Sequence, residues 1–398
     1  MILRNLCRLA TLIIAFPVIV ANAAEVQLAD SRLSGSVTDG VLSFRGIPYA
    51  RPPLGRLRWR PPEPVVLPAE LDATDFGPVC PQTAVADQPG PAMDEDCLTL
   101  NVWTPSPVGE RPVMVWIHGG GFRAGSGNVR GEVFASRGVV FVSINYRLGP
   151  LGFFAHPALD SRVANFGLLD MIAALKWVQA NIGFFGGNPE QVTIFGVSAG
   201  GMAVELLMAS PDAGGLFHQA IAQSGYGTWA LPRAEDAPTP APLAMDMTPV
   251  PSAESEGRRL IARISDGDLS ADQLRSLDAQ QIVAALEGFQ VPIVDGTSLP
   301  EEPGILFRRG KQARVPFITG GNSYEGSVMP ASGIGEMEYL GWFKGDEARA
   351  RELYARDFAA GSSAGIRRLF GDNRYLLAAI VHGQGAAAAG SPLSLIHI

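Results

Sequence analysis

The chain has 398 residues, of which 47% are hydrophobic and 18% are charged, so its composition excludes an intrinsically disordered protein. Its 31 Lys and Arg residues and 39 Asp and Glu residues give a net charge of 31 − 39 = −8, and it contains no basic block. This balance argues against nucleic-acid binding. The length suits a single α/β enzyme domain.

The first residues are typical of an export signal. Arg4 and Arg8 form a positive start, residues 9–20 are apolar, and 21–23 offer a small-x-small cleavage site. The alternative is a membrane anchor, but the apolar run is short for crossing a bilayer. We therefore predict a signal peptide over 1–23 that is cleaved after Ala23. The mature protein, a single domain over 24–398, is then secreted or periplasmic and has no stable membrane anchor.

Export decides how the cysteines are interpreted. Once Cys7 is removed with the signal, Cys80 and Cys97 remain. Two cysteines in an oxidising compartment most simply form a disulfide, and two buried thiols are the alternative. No nearby His or Cys completes a zinc ligand set, so no metal site is expected.

The remaining pattern alternates short apolar runs with helical periodicity. Such alternation predicts an α/β fold with a mostly parallel sheet and helices on both of its faces. The predicted elements, in chain order, are a hairpin over 35–49 with its turn at Asp39-Gly40, an extended proline-rich stretch over 50–68, strands within 98–105, 112–122 and 138–147, a helix over 168–182, a strand within 192–201, a helix over 202–208, and strands within 218–225 and 315–326.

One long loop interrupts this alternation. Six prolines fall between 230 and 252, which predicts a loop at the mouth of a site. Two helices follow, and each begins with a capping-box pattern, Ser270 with Gln273 and Asp278 with Gln281.

A serine motif lies at the end of one of these strands. Gly196-Val197-Ser198-Ala199-Gly200 follows an apolar run and precedes a helical pattern. An acyl-transfer serine needs a sharp strand-to-helix turn, and small residues two before and two after it permit that turn. The alternative is a glycine-rich turn with an idle serine. The strand, turn and helix in this order favour a nucleophile at Ser198.

Two further elements fit acyl transfer. His118-Gly119-Gly120-Gly121-Phe122 also ends a strand, and its glycines allow backbone N–H groups to approach a tetrahedral oxyanion. A plain tight turn is the alternative, which the position upstream of Ser198 disfavours. Glu325 follows another predicted strand, where an acid is expected after the serine, although a glutamate at such a position is by itself more often a solvated loop residue.

These motifs resemble those of the carboxylesterase type B family, which includes cholinesterases and bacterial para-nitrobenzyl esterases. Residues 95–105 (EDCLTLNVWTP) resemble the family's cysteine signature, and 185–200 (FGGNPEQVTIFGVSAG) resemble its active-site signature. The stretches RGIPYARPPLGRLRW, NYRLGPLGF, NFGLLDMIAALKWVQANI, AIAQSG and VDGTSLP fit as well. The resemblance runs from about Gly35 to about Ala389.

The resemblance implies an α/β-hydrolase fold and ester hydrolysis through an acyl-enzyme, with no metal or organic cofactor. It implies a role for each matching residue: Ser198 as the nucleophile, Glu325 as the triad acid, Gly120, Gly121 and Ala199 as the oxyanion-hole amides, Ser224 as a partner of the triad, Trp229 as a wall of the acyl pocket, Cys80–Cys97 as a disulfide, and Arg58–Glu95 and Arg147–Asp170 as structural ion pairs.

Two departures from the family pattern bear on the substrate. The family usually has Glu immediately before the serine, where this chain has Val197. The stretch between Cys80 and Cys97 contains no Trp, which a cation site would use. A small neutral ester is therefore the expected substrate, with amide or carbamate cleavage as an enzymatic alternative. A non-catalytic binding or adhesion homologue is the alternative from another class.

The third member of the triad is harder to place. The five histidines are His118, His156, His218, His382 and His397. The first three occupy non-catalytic motif positions, and His382 lies in a helical pattern that is surface-packed in the family. In the family the catalytic His follows a further strand, so the resemblance implies that the C-terminal part of the fold and the general base are missing. Residues 391–398 stand outside the family pattern. We expect the 398-residue chain to be nearly inactive and poorly stable.

Overall fold

A computed structural model of the chain describes residues 24–83, 92–159, 163–237, 252–343 and 345–397. The predicted signal peptide over 1–23 lies outside the described residues. So does most of the predicted proline-rich loop, from 238 to 251.

The described strands form one large sheet. Their order is β1-β2-β3-β5-β7-β6-β8-β9-β10-β11, and β4 pairs with β2 at the side. Neighbours from β7 onward are parallel, whereas those from β1 to β7 are antiparallel. The strands are β1 (Ala24–Gln27), β2 (Arg32–Thr38), β3 (Val41–Pro48), β4 (Glu70–Asp72), β5 (Thr99–Thr104), β6 (Arg111–Ile117), β7 (Val140–Ile144), β8 (Gly187–Val197), β9 (Gln219–Gln223), β10 (Phe317–Gly321) and β11 (Leu393–His397).

Helices connect the parallel strands, as the sequence predicts. The described α-helices are α1 (Glu132–Ala135), α2 (Gly149–Gly152), α3 (Phe166–Asn181), α4 (Ala199–Ala209), α5 (Ala253–Ile261), α6 (Ala271–Ser276), α7 (Ala279–Ala284), α8 (Pro303–Arg308), α9 (Glu336–Gly341), α10 (Glu347–Leu353), α11 (Ala355–Ala359), α12 (Ser362–Gly371) and α13 (Leu377–Ala388). A π-helical turn, Asp372–Leu376, joins α12 to α13.

The core lies between the sheet and these helices. All five residues of β7 and all eleven residues of α4 are buried. Continuous apolar runs of this kind suit strands and helices that are covered on every side. The nucleophile motif lies between α4 and the end of β8, whose residues 192–196 are buried.

Several predictions are confirmed. The hairpin turns at Asp39 and Gly40, both with positive φ (49° and 79°), and α3 matches the helix expected over 168–182. Cys80 and Cys97 form a disulfide with their Cα atoms 5.0 Å apart. The buried ion pairs Arg58–Glu95 and Arg147–Asp170 are both present.

Other predictions need correction. β8 begins at Gly187, five residues before the apolar run that predicts it, because its polar start still pairs with β6 through Arg111. Ser270 and Gln273 form the full capping box, but Asp278 only accepts a hydrogen bond from the Gln281 N–H, without the reciprocal bond. The patterns used above assign no strand to β1, β4 or β11.

One described helical stretch, 166–185, is long and apolar enough to cross a membrane, with a mean hydropathy of 1.2. It comprises α3 and the 3-10 turn that follows, and 56% of it is buried within the fold. Its burial is that of a core helix.

Candidate active site

Ser198 lies at the sharp turn between β8 and α4, where the sequence predicts it. Its φ of 58° and ψ of −121° form a strained conformation that a non-glycine residue adopts at a cost. The Ser198 N–H donates to the Gln223 carbonyl at 2.8 Å, which ties the turn to the end of β9. Ser198 is partly exposed between a buried strand and a buried helix. This is the geometry in which a serine hydroxyl projects from the carboxyl edge of a sheet.

The glycines around Ser198 are required by close packing. A Cβ atom at Gly200 would lie 2.1 Å from the carbonyl oxygen of Ile117, and one at Gly196 would lie 2.5 Å from the backbone of Gly200. Neither contact can be accommodated because both neighbours are backbone atoms. The spacing of the motif therefore follows from the turn itself.

Three backbone N–H groups beside Ser198 are free. Those of Gly120, Gly121 and Ala199 donate no hydrogen bond to any residue that the structure describes. Gly120 and Gly121 have φ values of 108° and 63°, which turn the chain over the serine. A Cβ atom built on Gly119 would lie 3.4 Å from Ser198 Cβ, so this loop directly adjoins the serine. These groups can stabilise an oxyanion.

Glu325 is buried at the carboxyl edge, after β10. Its Oε1 accepts three hydrogen bonds, from Ser224 Oγ at 2.6 Å and from the N and Nδ2 of Asn322 at 2.9 and 3.0 Å. Its Oε2 accepts none from the described residues. The structure thus brings the predicted residues Glu325 and Ser224 together and leaves one carboxylate oxygen for another donor. Asn322 was missed, although it lies in the same turn motif, three residues before the acid.

His118 contacts the glycine loop and a neighbouring tyrosine. Its Nδ1 lies 2.9 Å from the Gly119 carbonyl, and its ring stacks on Tyr146 with centroids 4.3 Å apart. The Tyr146 hydroxyl donates to the His118 carbonyl at 2.7 Å. Burial lowers the pKa of His118 from its ordinary 6.5 to about 4, so the imidazole is neutral at pH 7.

This shift predicts a loss of stability in acid. The unfolded chain binds a proton at His118 below about pH 6.5, whereas the folded chain does so only near pH 4. The contribution of neutral His118 to the free energy of unfolding is complete above pH 6.5. It is lost as the pH falls to 4, which lowers the free energy of unfolding by about 3 kcal/mol. Urea unfolding of the chain and of His118→Asn at pH 7 and pH 4.5 measures it. The variant should lose clearly less stability than the parent; equal losses would contradict the assignment.

The other described histidines contact residues other than Ser198. His156 accepts from the Ala158 N–H through Nδ1, and His218 lies beside Glu190 at the start of β9. His382 is fully buried in α13, not surface-packed as the resemblance implies, with Nδ1 2.8 Å from Glu205 Oε1. His397 is exposed on β11, in register with Gly321.

Trp229 is only partly buried and belongs to an aromatic cluster. Its ring stacks on Tyr339 and meets Trp342 and Phe370 edge-on, with centroids 5.8 to 6.2 Å apart. The Arg374 guanidinium lies over the Trp229 ring, with Cζ 4.3 Å from the ring centroid. No contact ties Trp229 to Ser198 among the described residues, so its assignment to an acyl pocket stays a prediction.

Comparison with known proteins gives a consistent result. The profile of the family described as "Carboxylesterase family" matches residues 22–358. The chain is 38% identical over 388 residues to the fumonisin B1 esterase of Sphingopyxis macrogoltabida, with 91% of this chain and 69% of that protein covered. It is 39% identical over 325 residues to the para-nitrobenzyl esterase of Bacillus subtilis, with 78% and 65% covered. The chain spans only about half to two thirds of the length of such relatives.

Solved structures agree with the sequence matches. A carboxylesterase of Geobacillus stearothermophilus superposes with a TM-score of 0.80 at 31% identity, covering 94% of this chain and 79% of that one. A para-nitrobenzyl esterase gives a TM-score of 0.76 at 32% identity, with the same 94% and 79% covered. The predicted α/β-hydrolase fold is confirmed, and the chain belongs to the carboxylesterase family, a family of carboxylic ester hydrolases.

Proposed function

We propose that this chain carries the nucleophile, the acid and the oxyanion hole of a secreted serine esterase that hydrolyses small carboxylic esters. In the first step Ser198 Oγ bonds to the ester carbonyl carbon, a base takes the Ser198 hydroxyl proton, the bond to the alcohol oxygen breaks, and the base returns that proton to the departing alcohol. In the second step water releases the acid and restores Ser198. One observation carries the proposal: the strained Ser198 turn adjoins three free backbone N–H groups.

The structure favours catalysis over the binding-only alternative. A protein that only binds has no need for a strained serine or a buried carboxylate, since each lowers stability. Here both are kept, and Glu325 is positioned by three donors. The test is release of p-nitrophenol from p-nitrophenyl acetate, compared between the chain and its Ser198→Ala variant.

We propose further that the base is none of His118, His156, His218 and His382. Each of these rings makes a hydrogen bond or close polar contact elsewhere, and Glu325 Oε2 accepts nothing from a described residue. Without an imidazole beside Ser198, the 398-residue chain should turn over slowly, because the Ser198 hydroxyl then attacks without a positioned base to take its proton. Full activity would direct attention to His397, which lies exposed at the carboxyl edge of the sheet.

The substrate is proposed to carry no cation. The relatives are named for esters as different as fumonisin B1 and acetylcholine, so family membership does not select one. The chain between Cys80 and Cys97 has no Trp for a cation. We therefore propose that the alcohol part of the ester substrate is uncharged.

Export is proposed from the leader pattern together with the Cys80–Cys97 bridge, because such bridges persist in oxidising compartments. The mature domain is expected to begin at Ala24. Mass spectrometry of exported protein, denatured in an alkylating reagent, should show this terminus and no alkylated cysteine. Retention of residues 1–23 would argue against the signal, and two alkylated cysteines would argue against the bridge.

A further inference from the structure

A buried arginine lies beside the catalytic acid. Arg374, in the π-helical turn between α12 and α13, is only 4% exposed. Its Cζ is 4.3 Å from the ring centroids of both Tyr226 and Trp229, and Phe370 and Tyr375 lie within 6 Å. Such a π-helical turn is often found at a functional site. These four aromatic residues form an arginine cage.

The guanidinium has no counter-ion among the described residues. No carboxylate lies within 4.0 Å of it, and its Nε makes no hydrogen bond. The two nearby buried carboxylates are occupied: Glu205 contacts His382 and the Gly227 N–H, and Glu325 accepts from Ser224 and Asn322. Burying an unpaired charge costs several kcal/mol, of which each aromatic face recovers about 0.5–2 kcal/mol.

Two tyrosine hydroxyls of the cage lie beside the guanidinium. Those of Tyr226 and Tyr375 are buried, and both lie against the Arg374 guanidinium, which can donate to their oxygens. Burial raises the pKa of each tyrosine, so both hydroxyls stay protonated and able to donate. The cage therefore presents a cation that has no carboxylate partner among the described residues, together with two hydroxyl protons for which these residues supply no acceptor.

The cage adjoins the proposed triad on two sides, at Tyr226 and at the start of the π-helical turn. Tyr226 follows two residues after Ser224, which donates to Glu325. On the other side, a Cβ atom at Gly371 would lie 3.0 Å from Glu325 Cβ, so the start of the π-helical turn packs against Glu325. Trp229, the acyl-pocket residue that the resemblance implies, forms one face of the cage.

We propose that Arg374, with the hydroxyls of Tyr226 and Tyr375, binds a carboxylate on the acyl half of the substrate, which makes this chain an esterase for half-esters of short dicarboxylic acids. The planar guanidinium suits two parallel hydrogen bonds to a carboxylate. The inference rests on the proposed function and narrows it. It replaces the expected neutral acyl group with an anionic one and leaves the alcohol half uncharged.

The experiment separates binding from chemistry by using the full chain with Ser198→Ala. Calorimetry compares monomethyl glutarate with dimethyl glutarate, which lacks the free carboxylate. The monoester should bind at least about ten-fold more tightly, and Arg374→Met should remove this preference. Arg368→Met, which replaces a partly buried arginine paired with Asp372 in the same segment, is the matched control and should keep it.

Tyr226→Phe removes only a hydroxyl and is expected to fold. It therefore tests carboxylate binding if Arg374→Met does not fold. This variant should lower monoester affinity several-fold and leave dimethyl glutarate unaffected. Equal affinity for the two esters, no binding of either, a preference that survives in folded Arg374→Met, or a preference that is undiminished in Tyr226→Phe would overturn the inference. Failure of the proposed function looks different: the chain with Ser198 intact would release no p-nitrophenol, whatever the calorimetry shows.

Discussion

Replacing Ser198 by Ala is expected to lower kcat/KM for p-nitrophenyl acetate to the residual level that oxyanion stabilisation and binding sustain without a nucleophile. The serine oxygen is the atom that becomes acylated, so its removal eliminates the covalent pathway and not only one stabilising contact. The parent chain, for which we propose slow turnover, should still exceed this residual level because its Ser198 can be acylated.

The variant should fold normally, which makes the loss interpretable. Ala at a φ of 58° has the same backbone cost as Ser, and the Ser198 N–H bond to the Gln223 carbonyl does not involve the side chain. Ser210→Ala is the matched control, because Ser210 is a buried serine at the other end of α4 whose hydroxyl has no partner. It should retain full activity. Ser198→Ala protein with undiminished turnover would show that the nucleophile lies elsewhere.

The extent to which the site was predictable depends on sequence distance. The Ser198 turn and the His118–Phe122 loop are local motifs whose backbone geometry requires glycine, so the amino-acid sequence is sufficient to recognise them. Glu325 was weaker, since a carboxylate in a loop becomes an acid candidate only through burial and its three donors. The arginine cage could not be predicted, because it joins residues near 226 to residues near 374 that no periodicity connects.

The fold shows the same division. β7 was predicted because its continuous apolar run is buried on both faces, and β6 because its apolar run buries every second residue. The strands β1, β4 and β11 were not, since they lie at the sides of the sheet and contain polar or exposed positions. Their pairing is decided by a neighbouring strand and not by their own composition.

The buried pair of Glu205 and His382 carries the second large prediction. Glu205 lies two turns after Ser198 on α4, and both side chains of the pair are 0% exposed. Its Oε2 accepts from the Gly227 N–H at 2.9 Å, in the turn that follows Ser224. The His382 ring packs on Phe307 of α8, with centroids 4.5 Å apart. The pair thus joins α4, α8, α13 and this turn.

His382→Ala is therefore expected to lower the free energy of unfolding by about 3–5 kcal/mol, because it leaves the Glu205 carboxylate buried without its imidazole partner. Hydrolysis per folded molecule should change only slightly, since His382 is held in a helix by Glu205 and does not reach Ser198. Urea unfolding and p-nitrophenyl acetate turnover, both measured where the variant is folded, separate the two effects.

The double variant Glu205→Leu with His382→Phe tests the cause. Removing both partners together leaves no unpaired charge, so much of the lost stability should return. If the double variant is as unstable as His382→Ala, lost packing explains the effect and the pair does not. If folded His382→Ala is instead stable and has lost nearly all turnover, His382 is the general base, and the position of α13 must change during catalysis.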